Sequence, residues 1–161
     1  MTQSRRIATF CALAALLANL AIERVLMAAT GRSVIISGLA DFYPAWNNGV
    51  SFSLFAQDST TGCYLLIAVL AVISIAVAVM AWRAESILAA AGFGLVLGGA
   101  LGNLRDRVQH CAVFDFLSLH LGSLPLFVCN FADIAISAGV LLLVLDSMRT
   151  RPQSTSSPSQ P

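Results

Sequence analysis

The sequence predicts an all-α polytopic membrane protein of four transmembrane helices, carrying a small β-rich cradle on the extracytoplasmic side. Three observations predict it. Of the 161 residues, 58% are hydrophobic and 11% charged, whereas soluble domains carry about 25% charged residues. The mean hydropathy is accordingly high, at +0.83. Four apolar runs each approach the roughly 20 helical residues that cross a hydrocarbon core. The polar stretch between the first two runs is β-prone instead of helical.

The four runs are 7–27, 63–82, 87–104 and 126–145, the first interrupted by Glu23 and Arg24. They form one domain, 1–148, followed by a Ser-, Pro- and Gln-rich tail, 149–161, expected to be disordered. Arg5 and Arg6 before an apolar run resemble the start of a secretory signal. That run is long and lacks a small-x-small cleavage site, so it reads as a retained first helix. The net charge of +1 gives no basic field for nucleic acid.

All nine basic residues are arginine, and their placement predicts orientation. With four spans, Arg5, Arg6, Arg83, Arg149 and Arg151 share one side, and Arg32, Arg105 and Arg107 the other. The excess puts both termini in the cytoplasm and makes 28–62 and 105–125 extracytoplasmic.

In the first of these segments, 33–37 and 50–55 are β-prone, and the second alternates apolar with polar residues. Tyr43-Pro44 and Asn47-Asn48-Gly49 between them are turn signals. A small sheet at the membrane surface is expected. In the third run, Gly94, Gly98 and Gly102 share a helical face and allow close helix approach. Gly92-Phe93-Gly94 lies inside that run, without the strand–turn–helix context of a dinucleotide site. Of the four cysteines, Cys11 and Cys63 fall in or beside spans, while Cys111 and Cys129 can meet.

Two acids carry the chemical interest. Asp115 stands among large apolar residues in Val113-Phe114-Asp115-Phe116-Leu117, and Asp133 opens the fourth span. A carboxylate at membrane depth costs at least about 3 kcal/mol, so it is kept where it is paired or used. One reading pairs each acid with Arg105 or Arg107 as a helix fastener. The other joins the acids. The 105–125 loop can fold back towards Asp133, and two close carboxylates share one proton. Such a pair can activate water with one acid and protonate a carbonyl with the other. His110, Cys111, His120 and Cys129 match no usual Cys/His zinc spacing, so no metal is expected. Ser118 near His120 lacks a nucleophile pattern.

These residues carry a resemblance. Gly98-Gly99-Ala100-Leu101-Gly102-Asn103-Leu104-Arg105-Asp106-Arg107, Val113-Phe114-Asp115-Phe116 and Asn130-Phe131-Ala132-Asp133-Ile134 are similar to the motifs of signal peptidase II, the bacterial lipoprotein signal peptidase family. Asn47-Asn48-Gly49-Val50-Ser51-Phe52 resembles that family's Asn-x-Gly-Ala-Ala-Phe block, and order and spacing agree over 7–148. The resemblance implies a monomeric aspartic endopeptidase of the bacterial inner membrane, without cofactor. It implies cleavage of prolipoproteins before a diacylglyceryl-modified cysteine, and inhibition by globomycin. By motif position Asp115 and Asp133 match the catalytic pair. Asn47, Asn103, Arg107 and Asn130 match residues that line the site or bind substrate, and Asp106 matches a structural acid.

One block departs. The family carries Asp-Gln-x-x-Lys near the outer end of the first span. Here Arg24 is read as the replacement for the Lys; Asn19 and Glu23 are nearby, and no acid occupies the Asp position. That departure motivates one rival, a catalytically impaired lipopeptide-binding homologue. A second rival, a small proton-coupled transporter, would need its acids near mid-membrane.

Overall fold

The structure is a computed structural model, and it describes residues 1–29, 31–49 and 60–150. The order of elements is α1 (Gln3–Leu26), β1 (Ser33–Ile36), β2 (Ala40–Asn47), α2 (Thr60–Arg83), α3 (Ile87–His110), β3 (Val113–Leu121), β4 (Leu124–Cys129) and α4 (Phe131–Thr150). All four helices are long and apolar enough to cross a membrane. A helix of 24 residues, such as α1, is about 36 Å long against a core of about 30 Å. The strand expected at 50–55 and the tail from 151 lie outside the described residues.

α3 is the central helix, packed against α1, α2 and α4. Small residues make this possible. A Cβ on Gly94 would collide with Ala8 and Cys11 of α1, and one on Gly98 with Ala12 and Ala15. A second glycine face, at Gly92 and Gly99, lies against Gly139 and Ala132 of α4. Lipid tails are as apolar as leucine, so helices here gain little from burying large side chains and associate through close backbone packing. The buried set includes Ala8, Ala15, Ala81, Ala90, Ala132 and Ala135, while Phe10, Leu17, Leu65, Val72 and Ile75 are exposed on the outer surface of the bundle. At the opposite end from the sheet, Ser86 caps α3, accepting from Ala89 N at 2.9 Å. Its hydroxyl donates to Asp146 Oδ1 at 2.6 Å, which ties the α2–α3 turn to α4.

The sheet is antiparallel, in the order β1-β2-β3-β4. β1 forms where expected. Tyr43-Pro44 does not turn the chain: it lies within β2, at a bulge between Phe42 and Ala45. A bulge tolerates a residue with no backbone N–H to donate. The 105–125 segment is not a loop. α3 continues to His110, and 113–129 forms the β3–β4 hairpin. α4 therefore starts at Phe131 and not at 126. Its apolar run continues into β4, and hydropathy alone does not separate an apolar strand from a helix. Arg32 donates twice to Asp41 Oδ2, at 2.6 and 3.1 Å, and His120 Nε2 lies 3.3 Å from the other oxygen. Arg32 thus holds the Asp41 carboxyl below the usual carboxylate range, helped by His120. This clasp joins β1, β2 and β3.

The cysteine pairing is also corrected. Cys111 bonds Cys63, and Cys129 is free and buried. Cys111 caps α3 in the left-handed conformation, φ 53°, which turns the chain into β3 beside the first turn of α2. Cys129 ends β4 opposite Leu117. With a sequence separation of 48 between the bonded cysteines, the chain-entropy limit for the bond is about 4 kcal/mol. The bilayer already confines α2 and α3 as a hairpin, so the actual contribution is smaller. Cys63→Ser is expected to lower the melting temperature in detergent by several degrees. Reductant should lower that of the wild type equally and leave the variant unchanged. A wild type insensitive to reductant would count against the bond.

Candidate active site

The site is built around the start of α4. Asn130 is the residue before the first helical turn, and Asp133 lies in that turn. Asn130 Oδ1 accepts from Asp133 N at 3.1 Å, while Asp133 Oδ2 accepts from Asn130 N, also at 3.1 Å. This is a capping box, in which each residue satisfies a backbone N–H that a helix start leaves open. The local sequence Asn-x-x-Asp therefore folds itself into place. Asn130 Nδ2 then bonds Asp115 Oδ1 and Asn103 Oδ1, each at 3.0 Å.

Asp115 arrives on β3, opposite Ala45 of β2. Its second oxygen accepts from Asn47 Nδ2 at 2.9 Å. Asn47 is oriented by its own turn, because its Oδ1 accepts from Gly49 N at 3.0 Å. Trp46 holds this end of β2 down, with ring centroids 4.7 Å from His110 and 5.5 Å from Phe114. From α3, Asn103 Nδ2 donates to Asp133 Oδ1 at 2.9 Å. Five sequence-predicted residues, Asn47, Asn103, Asp115, Asn130 and Asp133, are thus joined in one network from β2, α3, β3 and α4. Arg107 is buried on α3 beside them and donates from Nη2 to Gly49 O at 2.7 Å.

Neither acid is hydrogen-bonded to an arginine among the described residues, which removes the helix-fastener reading for this pair. The donors are neutral amides. Burial pushes the Asp115 carboxyl up to about 6; the Asn47 N–H works against it, the Asp133 charge with it, and Asn130 and Arg107 against it. Burial and the two acids push the Cys129 thiol up to about 11. A thiol held in its protonated form is a poor nucleophile. The remaining members of the His/Cys set are engaged elsewhere. Cys111 is in the disulfide, His110 packs on Trp46, and His120 Nδ1 faces Gly122 O at 2.9 Å.

Arg24 is not brought to the site. It is exposed, whereas its neighbour Glu23 and the residue one turn earlier, Asn19, are buried. Asn19 and Glu23 have the four-residue spacing of the family's first-span Asp and Lys. The positive charge comes instead from α3. Arg105 Nη1 bonds Glu23 Oε1 at 3.0 Å and Asp106 Oδ1 at 3.0 Å. Sequence reading noted Glu23 but chose Arg24 beside it, although an acid within an apolar span is itself a signal. This cluster lies between Asn103 and Arg107 on α3, so it holds the helix segment that carries both.

Arg105→Gln leaves two buried acids side by side without their cation. It is expected to destabilise by about 1–3 kcal/mol, below the range for a fully buried pair because Arg105 is partly exposed. Glu23→Gln should cost less, and the double variant less than the sum. Denaturant titration of the four proteins as a double-mutant cycle checks this, and strictly additive effects would contradict it.

Comparison with known proteins agrees with this geometry. The family pattern described as "Signal peptidase (SPase) II" matches residues 7–149. A protein named lipoprotein signal peptidase from Methylorubrum extorquens (strain PA1) is 47% identical over 121 residues, covering 75% of this chain and 71% of its own. One of the same name from Beijerinckia indica subsp. indica is 40% identical over 116 residues, covering 72% and 70%. A bacterial membrane enzyme solved by the in meso method at 2.3 Å shares the fold. It has a TM-score of 0.76 at 17% identity, over 96% of this chain and 93% of that one. The matched pattern, the two relatives and the shared fold assign this chain to the signal peptidase II family.

Proposed function

We propose that the protein is an intramembrane aspartic endopeptidase that removes signal peptides from diacylglyceryl-modified prolipoproteins, cleaving before the lipidated cysteine. The observation that carries this reading is the coupling of Asp115 to Asp133 through Asn130. The relatives' shared name, lipoprotein signal peptidase, supports the substrate.

Asp115, with its raised pKa, is the acid, and Asp133 is the base. Asp133 takes a proton from water, the water oxygen attacks the scissile carbonyl, and Asp115 gives its proton to the developing oxyanion. Collapse breaks the C–N bond as Asp115 takes back a proton from one hydroxyl of the intermediate, and the proton on Asp133 passes to the leaving amine. Asn47 and Asn103 orient the carboxylates without replacing their exchangeable proton by a fixed positive charge. Arg107 braces the chain at Gly49, beside Asn47.

An apolar groove of about 460 Å³ leads from Asp133 along α4, between Leu117, Leu119 and Phe127 of the sheet and Ile134, Ala138 and Leu141 of the helix. It suits lateral entry of an apolar substrate from the bilayer. The disulfide supports an extracytoplasmic site, since such bonds persist in oxidising compartments. The arginine distribution agrees, with both termini cytoplasmic in the inner membrane. A transporter is disfavoured because both acids sit at the sheet–helix junction and not at mid-membrane.

Asp115→Asn and Asp133→Asn are each expected to lower cleavage of a lipidated prolipoprotein peptide by at least about 100-fold, with unchanged circular dichroism. Globomycin should block the wild type. Near-normal cleavage by either variant would sink the mechanism, and globomycin binding without turnover in the wild type would favour the impaired homologue. The pH profile follows from Asp115. An acid with a raised pKa keeps its proton below that pKa and loses it above. Thus kcat/KM should fall as pH rises through about 6. Removing the Asn47 donor, as in Asn47→Leu, should move that fall to higher pH. A profile flat from about pH 5 to 8 would contradict the assignment of Asp115 as the acid.

A further inference from the structure

A second cavity lies at the end of the bundle away from the acids. It has a volume of about 270 Å³ and opens between α1 and α2, with α3 as its floor. Alanines make the space: Ala8 and Ala12 of α1 face Ala78 and Ala81 of α2, and Leu101 of α3 lines it as well. From Arg5 at the rim to Leu13 on α1, the cleft reaches about 12 Å into the bilayer at 1.5 Å per residue.

The rim has a different chemistry. The Arg5 guanidinium lies over the Trp82 ring, 4.6 Å from its centroid, and Arg5 Nε donates to Trp82 O at 3.1 Å. Those contacts fix the side chain and leave its two Nη groups without a partner among the described residues. Arg6 and Arg83 are exposed at the same end. The acid near this rim, Glu85, is exposed and is engaged through its backbone oxygen, which accepts from Ser4 Oγ at 2.8 Å.

We infer that this cleft binds an anionic phospholipid, with one acyl chain between α1 and α2 and the phosphate on Arg5. An apolar void of this size repels water and deprives its walls of contacts. Open to the bilayer, it is filled by what lies there. The cationic rim selects the headgroup charge, and an aromatic ring at headgroup depth is the usual membrane-interface arrangement. The lipid then acts as a wedge that seats α2 on α1. This site is separate from the peptidase reading and does not depend on it.

Native mass spectrometry of the full-length protein in detergent tests the inference, with added phosphatidylglycerol or phosphatidylcholine of identical chains. The wild type is expected to retain phosphatidylglycerol at least about fivefold better, the factor for one basic residue near a charged headgroup. Arg5→Gln should erase that preference. Ala78→Leu, which fills the cleft, should release both lipids and leave cleavage of the lipidated peptide unchanged. Equal retention of the two lipids by the wild type would overturn the inference. So would undiminished binding by a folded Ala78→Leu protein, or displacement of the lipid by the lipidated peptide, which would make the cleft a substrate site. If Ala78→Leu does not fold, Arg5→Gln alone decides.

Discussion

Asn130 holds the site together with three different groups of one residue. Its backbone N–H and side-chain oxygen close the capping box with Asp133, and its side-chain nitrogen reaches Asp115 and Asn103. The helix start and the paired acids are therefore one structure. The capping oxygen leaves only the amide nitrogen to face Asp115, so the backbone determines which way the Asn130 amide points. Asn47 is oriented the same way by Gly49 N. Neutral donors suit a proton-sharing pair, because a bonded arginine would hold both acids ionised.

The surrounding fold explains how such a pair persists at a membrane edge. Small residues let α1, α3 and α4 approach until their backbones touch, which brings Asn103 of α3 within reach of Asp133 of α4. The sheet then supplies what the helices lack. It carries Asp115 and Asn47 on paired strands, where every rung of the β2–β3 ladder contributes to their placement. β2 and β3, the strands that carry Asn47 and Asp115, are the two interior strands, so each is paired on both sides. Charge is handled differently one turn away. Glu23, Arg105 and Asp106 form a compact cluster between α1 and α3, so the bundle keeps this ionic contact apart from Asp115 and Asp133.

Much of this was legible in the sequence. Spans are visible because a bilayer demands long apolar runs, and an acid in such a run is conspicuous. Asp115 and Asp133 could be named on those grounds, and Asn103 and Asn130 through the resemblance of their motifs to the family's. The Asn-x-x-Asp capping box, a local signal, went unread because the apolar run was taken to begin at 126. The β3–β4 hairpin was hidden because its strands are as apolar as the span they adjoin. Arg24 was misread in place of Glu23 because adjacent helical residues point about 100° apart, and composition does not say which of two neighbours faces inward.

What the sequence determined by itself is therefore what local chemistry determines: the number of spans and the position of the two acids. Tertiary structure decided every pairing between distant segments. It joined Cys111 to Cys63, matched Glu23 with Arg105, and set Asn47 on Asp115. Each of these needs two elements to meet at a particular rotation and depth, and that meeting is set by packing of the glycine faces and by strand register. Neither is written in the residues that are brought together.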